Sequence, residues 1–118
     1  MEAVPHRMHG AVFHSYVAPA QGSRELCAWR LEVAAGNEGV PHRVSREEVF
    51  LGLDGEPTVT VDGVAETVGR GDVVFVPAGA EVCVDNRSVA RAAMWVTTSV
   101  GLEATTAEGA TIRPPWVQ

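Results

Sequence analysis

The chain has 118 residues and a formal net charge of −6, with 46% hydrophobic and 20% charged residues. That length fits one domain with its own core, and the balance is globular rather than disordered. The acidic field, with no basic patch to override it, argues against a nucleic-acid partner, and the apolar runs are too short to span a bilayer.

Arg43 and Arg46 are the nearest approach to a basic cluster, and they sit among Glu47 and Glu48. The first residues, Met-Glu-Ala-Val-Pro-His, hold no basic stretch followed by an apolar one, so no leader and a cytoplasmic location are expected. Cys27 and Cys83 stand far apart and in no CxxC pattern, which reads as two reduced thiols.

The expected elements are all strands. Alternation or β-branched enrichment marks 11–18, 25–34, 47–53, 57–62, 64–68, 72–76, 81–85 and 92–98. Ahead of them, His6 and His9 read as flexible terminal histidines. His14 falls on the first strand and reads as partly buried surface rather than as a ligand. Asp62-Gly63, between Thr-Val-Thr-Val and Val-Ala-Glu-Thr-Val, supplies the positive φ pair of a type I′ turn, hence a hairpin. Gly69-Arg-Gly-Asp72 marks a second turn. No segment holds a helical period over three turns, so the fold class is all-β, a sandwich or barrel in a single domain, 1–118. Strands at 11–34 lead, two glycine-punctuated blocks at 36–55 and 71–86 follow, and a strand with a Pro-Pro-Trp tail closes the chain at 92–118.

Those two blocks carry the functional signal. Gly36 is followed at fixed intervals by His42, Val44, Glu48 and Gly55, and Gly71 by Pro77, Gly79, Val82 and Asn86. This pattern closely resembles the cupin family. Its two motifs read Gly-x5-His-x-His-x3-4-Glu-x6-Gly and Gly-x5-Pro-x-Gly-x2-His-x3-Asn. Every spacing matches, but Val44 and Val82 occupy two histidine positions. The resemblance implies a cupin-type jelly-roll barrel in which positions 42, 44, 48 and 82 converge inside the mouth. It also implies pairing as a homodimer.

A cupin metal normally sits on three histidines and one carboxylate, and here only His42 and Glu48 remain. One imidazole and one carboxylate make a poor cage, since catalytic zinc and facial-triad iron sites keep three protein ligands. The expected cofactor is therefore none. A weaker alternative is a divalent metal on His42 and Glu48 with an unidentified third ligand, for which His14, Cys27 and Cys83 are the recruits. Desolvation raises a carboxyl pKa and a neighbouring imidazolium lowers it, so the two groups suit proton transfer. Glu48 is cast as general base and His42 as acid or orienter, with the roles exchangeable.

Strand parity puts Glu48, Phe50 and Gly52 on one face. Val44, Phe50, Val82, Trp29 and Met94 are the expected substrate-binding walls, with Met94 and its neighbour Trp95 unable to face the same way. Trp116 is expected over a strand edge or across a dimer interface. The function expected is a small-molecule isomerase, cyclase or dehydratase, such as one of secondary metabolism. The rival readings are a divergent metal-dependent cupin such as a dioxygenase, and a binding module without turnover.

Overall fold

The computed structural model describes all residues, Met1–Gln118. Twelve strands form two antiparallel sheets. They are β1 (Val4–Met8), β2 (Ala11–Val17), β3 (Leu26–Val33), β4 (His42–Val44), β5 (Glu48–Asp54), β6 (Thr58–Val61), β7 (Val64–Thr67), β8 (Val73–Val76), β9 (Glu81–Asp85), β10 (Ala92–Ser99), β11 (Ala104–Thr106) and β12 (Thr111–Ile112). The first sheet runs β1-β2-β3-β10-β5-β8 and the second β12-β11-β4-β9-β6-β7, six strands each. This is the jelly-roll architecture expected from the sequence. No helix is long and apolar enough to cross a membrane.

Two hairpin turns show how the chain reverses. Asp62 and Gly63 take φ of 47° and 82° between β6 and β7, as the Asp-Gly signal requires. His9 and Gly10 take φ of 50° and 73° between β1 and β2. The expectation of a flexible N-terminus is therefore corrected. Residues 4–8 pair with β2 and extend the first sheet, His6 facing Phe13 in the register. The missed signal was Val-Pro-His-Arg-Met, whose proline and polar residues mask a short edge strand.

The interior is built by parity. Across the first sheet, Trp29, Val96, Phe50 and Val74 form one inward row, and Cys27, Thr98, Glu48 and Val76 form the next. Across the second sheet, Thr106, His42, Val82 and Val61 form a row, with Ala104 and Val44 one step along. Val44, Val59, Val68, Val76, Val82, Val96 and Met94 are all but inaccessible. Burying each such side chain is worth about 1.5–3 kcal/mol relative to exposure. Gly52 is required for a close approach, because a Cβ there would collide with the Gly69 carbonyl oxygen. That contact lets the 69–72 turn fold back on β5 through Gly52 N–H to Asp72 O at 2.9 Å.

The C-terminal segment departs from expectation. Trp116 lies neither on a strand edge nor at the surface. It is buried, stacks on Phe13 with centroids 3.6 Å apart, and tilts against Trp29 at 6.4 Å. Its backbone is tied inside as well. Ser15 Oγ donates to the Trp116 carbonyl at 2.9 Å, and the Cys27 thiol donates to the Val117 carbonyl at 3.7 Å.

Candidate active site

The barrel holds a cavity of about 150 Å³, partly open to solvent, at the β1–β2–β3 and β4–β11–β12 end. Phe13, Trp29, Leu31, Phe50, Leu102 and Trp116 give it an apolar wall, and Glu48, His42, His9, Asn37 and Thr106 are its polar members. No arginine lines it, and the chain contains no lysine. A Schiff base to a lysine is thereby excluded.

Of the expected binding residues, Trp29, Phe50 and Val82 line the cavity, and Val44 and Met94 do not. Both outliers point inward but lie deeper in the packed part of the core, 1% and 0% exposed. Alternation put Val44 on one face with His42 and left open which of Met94 and Trp95 turns inward; about depth along the barrel axis it says nothing. Trp95 faces outward, half-buried against Tyr16 at 5.5 Å. His9, Asn37, Thr106 and Trp116 were missed as cavity residues. His9-Gly10 is a turn pair that sequence alone would have placed at a hairpin; Trp116 carries no periodic signal at all.

Glu48 sits on the inner face of β5, between Thr98 and Val76 in the register, and is only 4% exposed. Its nearest polar neighbour in that row is no help, since Thr98 Oγ1 donates to the Glu47 carbonyl at 2.7 Å. Glu48 Oε1 is buried without a hydrogen-bond partner. Desolvation consequently pushes the carboxyl from its ordinary 4.5 up to about 8. At neutral pH the side chain is mainly a carboxylic acid.

His42 lies half-buried on β4, opposite Val82. Its Nδ1 is 3.0 Å from the Val40 carbonyl oxygen. A carbonyl only accepts, so Nδ1 carries the hydrogen and a neutral ring keeps Nε2 as its acceptor. His42 and Glu48 share the cavity but make neither a hydrogen bond nor an ion pair with each other.

The donor set does not suit a metal. No group of three or more His, Cys, Asp or Glu side chains is placed to hold one. Positions 42, 44 and 82 face inward from one sheet and Glu48 from the other, as the motif geometry implies, but two of the four are valines. The three candidate recruits lie elsewhere. His14 pairs with Glu32 on the outer face at 2.8 Å, and the Cys83 thiol turns outward toward Asp85. Cys27 is committed to the Val117 carbonyl. Burial pushes both thiols up, so neither is an activated nucleophile.

Two antiparallel sheets closed on an apolar cavity with a few convergent polar groups define a jelly-roll barrel of the small-molecule type. Residues 29–99 match the cupin domain family, and the chain belongs to it. Solved structures share the fold. A sugar phosphate isomerase of the cupin superfamily from Silicibacter pomeroyi superposes with a TM-score of 0.70 at 18% identity, covering 88% of this chain and 76% of that one. The polyketide cyclase RemF from Streptomyces resistomycificus gives 0.70 at 18% identity, over 76% and 65%. A salicylate 1,2-dioxygenase from Pseudoaminobacter salicylatoxidans gives 0.67 at 20%, over 75% and 25%. In sequence, a dimethylsulfoniopropionate lyase, DddW, from Ruegeria pomeroyi is 34% identical over 58 residues. That match takes in 49% of this chain and only 38% of the lyase.

Proposed function

We propose that this cupin is a small-molecule enzyme that moves protons without a metal, as an isomerase, cyclase or dehydratase. The observation that carries the reading is Glu48, a buried and unpartnered carboxyl in the wall of an apolar cavity. A group held near neutral pKa in a cleft is what general acid–base work requires. Its raised pKa favours exchanging the roles first assigned. Glu48 serves as the acid and His42 Nε2 as the base.

The chemistry balances as an enolisation. His42 Nε2 accepts a proton from the carbon next to a substrate carbonyl, while Glu48 gives its proton to the carbonyl oxygen. Glu48 then takes a proton back from the enol hydroxyl or a neighbouring one while His42 returns its own to a different carbon, which completes an isomerisation. In a ring closure the enol carbon instead bonds a second carbonyl carbon, whose π bond opens as its oxygen takes the His42 proton. In both cases the side chains recover their starting states. The neighbours named a cyclase and an isomerase support this class by fold alone.

The test uses neutral ketones in deuterated buffer, with acetophenone as first probe. Exchange of its methyl hydrogens, followed by proton NMR, is expected to run faster with protein than with buffer. Glu48→Gln is expected to lose about 10² to 10⁴ of that rate. Wild-type exchange no faster than buffer across a panel of neutral ketones would sink the proposal.

We also propose that the protein pairs with a second copy through the outer face of the first sheet. Val49, Val73 and Phe75 are 40%, 61% and 53% exposed there, with Val49 and Phe75 directly opposed in the register. Light scattering should give a dimer for the wild type and a monomer for Phe75→Glu.

A further inference from the structure

Three tryptophans occur in the chain, and they do not face the same surroundings. Trp29 is 3% exposed and its Nε1–H has no hydrogen-bond partner. A buried indole N–H ordinarily finds an acceptor, because leaving one unmade carries the full desolvation cost of the donor. Its row across the sheet is Ser15, Val96, Phe50 and Val74, and the ring packing against it is Trp116. The polar member, Ser15, turns its hydroxyl to the Trp116 carbonyl and makes no bond to the indole. The side chain also lines the cavity, together with Glu48, whose Oε1 is unpartnered too.

The rest of the lining restricts what can satisfy them. With no arginine or lysine in the wall, an anionic ligand meets no fixed counter-charge, and a phosphate or carboxylate would stay largely unpaired out of water. Only His9 and His42 are able to become cationic there. Phe13 and Trp116 each lose one ring face to the other, at 3.6 Å and an interplanar angle of 9°, which reduces the aromatic surface open to a cation.

We propose that Trp29 Nε1–H is the specificity-determining donor of the cavity, and that the ligand is an uncharged, mostly apolar molecule carrying an acceptor oxygen, such as a ketone, lactone or quinone. The proposal rests on reading the cavity as a small-molecule site, and it separates this chain from phosphorylated substrates. Trp29 and Glu48 stand on strands that both flank β10, one step apart along the sheet.

The experiment compares four probes of similar shape on ¹⁵N-labelled full-length protein: acetophenone, ethylbenzene, phenyl phosphate and benzyltrimethylammonium. The three indole N–H signals are assigned by single Trp→Phe substitutions. Acetophenone is expected to shift the Trp29 indole signal downfield, and to bind about tenfold more tightly than ethylbenzene. In Trp29→Phe that preference should vanish while ethylbenzene affinity holds. The two charged probes should bind at least about tenfold more weakly than acetophenone. Equal affinity for ketone and hydrocarbon, a preference that survives Trp29→Phe, or a charged probe that matches the ketone would each overturn it. So would no binding of acetophenone up to its solubility. Should Trp29→Phe not fold, the wild-type indole shift and the probe ranking decide. Failure of the catalytic reading looks different, with acetophenone bound through Trp29 but no hydrogen exchange.

Discussion

Glu48 and Glu32 are the same residue type on opposite faces of one sheet. Glu32 points outward from β3, where His14 Nε2 reaches it at 2.8 Å and Arg30 stands 3.7 Å away. Glu48 points inward from β5 and meets no partner. Their acidities separate accordingly. The hydrogen bond from His14 holds Glu32 below the ordinary carboxyl range, the Arg30 charge helping, while burial alone lifts Glu48 to about 8. Strand parity, one residue either way, decides whether a glutamate is a surface anion or a cavity acid. The outer glutamate is a paired anion, and the inner one is an unpartnered carboxyl whose ionised form burial disfavours.

The largest way to sharpen that contrast is pH. A carboxyl with a folded pKa above its unfolded value binds a proton in the native state that the unfolded chain has released. Its full stability is present below about 4.5 and is lost progressively as pH climbs to about 8. A shift of that size corresponds to a loss on the order of 4–5 kcal/mol over the window. Denaturant unfolding of the wild type at pH 5 and pH 9 should show the protein weaker at the higher pH. Glu48→Gln should flatten that limb. At pH 7 and above, Glu48→Leu should be more stable than wild type by about 1–3 kcal/mol, because a well-shaped apolar group replaces an unpaired buried one. A Glu48→Leu variant less stable than wild type at pH 9 would show that Oε1 has a partner in solution.

How much of this was legible beforehand follows the same line. The resemblance carried by the two motifs implied the barrel and the convergence of His42, Val44, Glu48 and Val82, while period-two alternation, which is local, gave only shared faces, His42 with Val44 and Glu48 with Phe50. Which inward residues meet a void is not local. Val44 and Met94 have the right parity and the wrong depth, while Phe50, two residues beyond Glu48, reaches the cavity. Trp116 enters from the far end of the chain through Ser15 and Phe13, a contact spanning about a hundred residues that no short window contains. The separation of His42 from Glu48 was equally hidden. They come from facing sheets, and only the sheet-to-sheet packing decides whether their side chains touch.

The smallest expected effect lies on the outer face. His14 and Glu32 have side chains 27% and 24% exposed, so their attraction is partly screened and must offset the ordering of both. A double-mutant cycle on His14→Ala and Glu32→Gln should give a coupling of about 0.2–1 kcal/mol at pH 6. Because the Glu32 carboxyl is held low, its contribution is complete above the unfolded carboxyl pKa and disappears as pH falls through the folded one. Acid thus weakens the outer glutamate and alkali the inner one. Coupling that persists unchanged at pH 2 would mean the contact is packing rather than charge. In that case the two faces of the sheet would differ in burial alone.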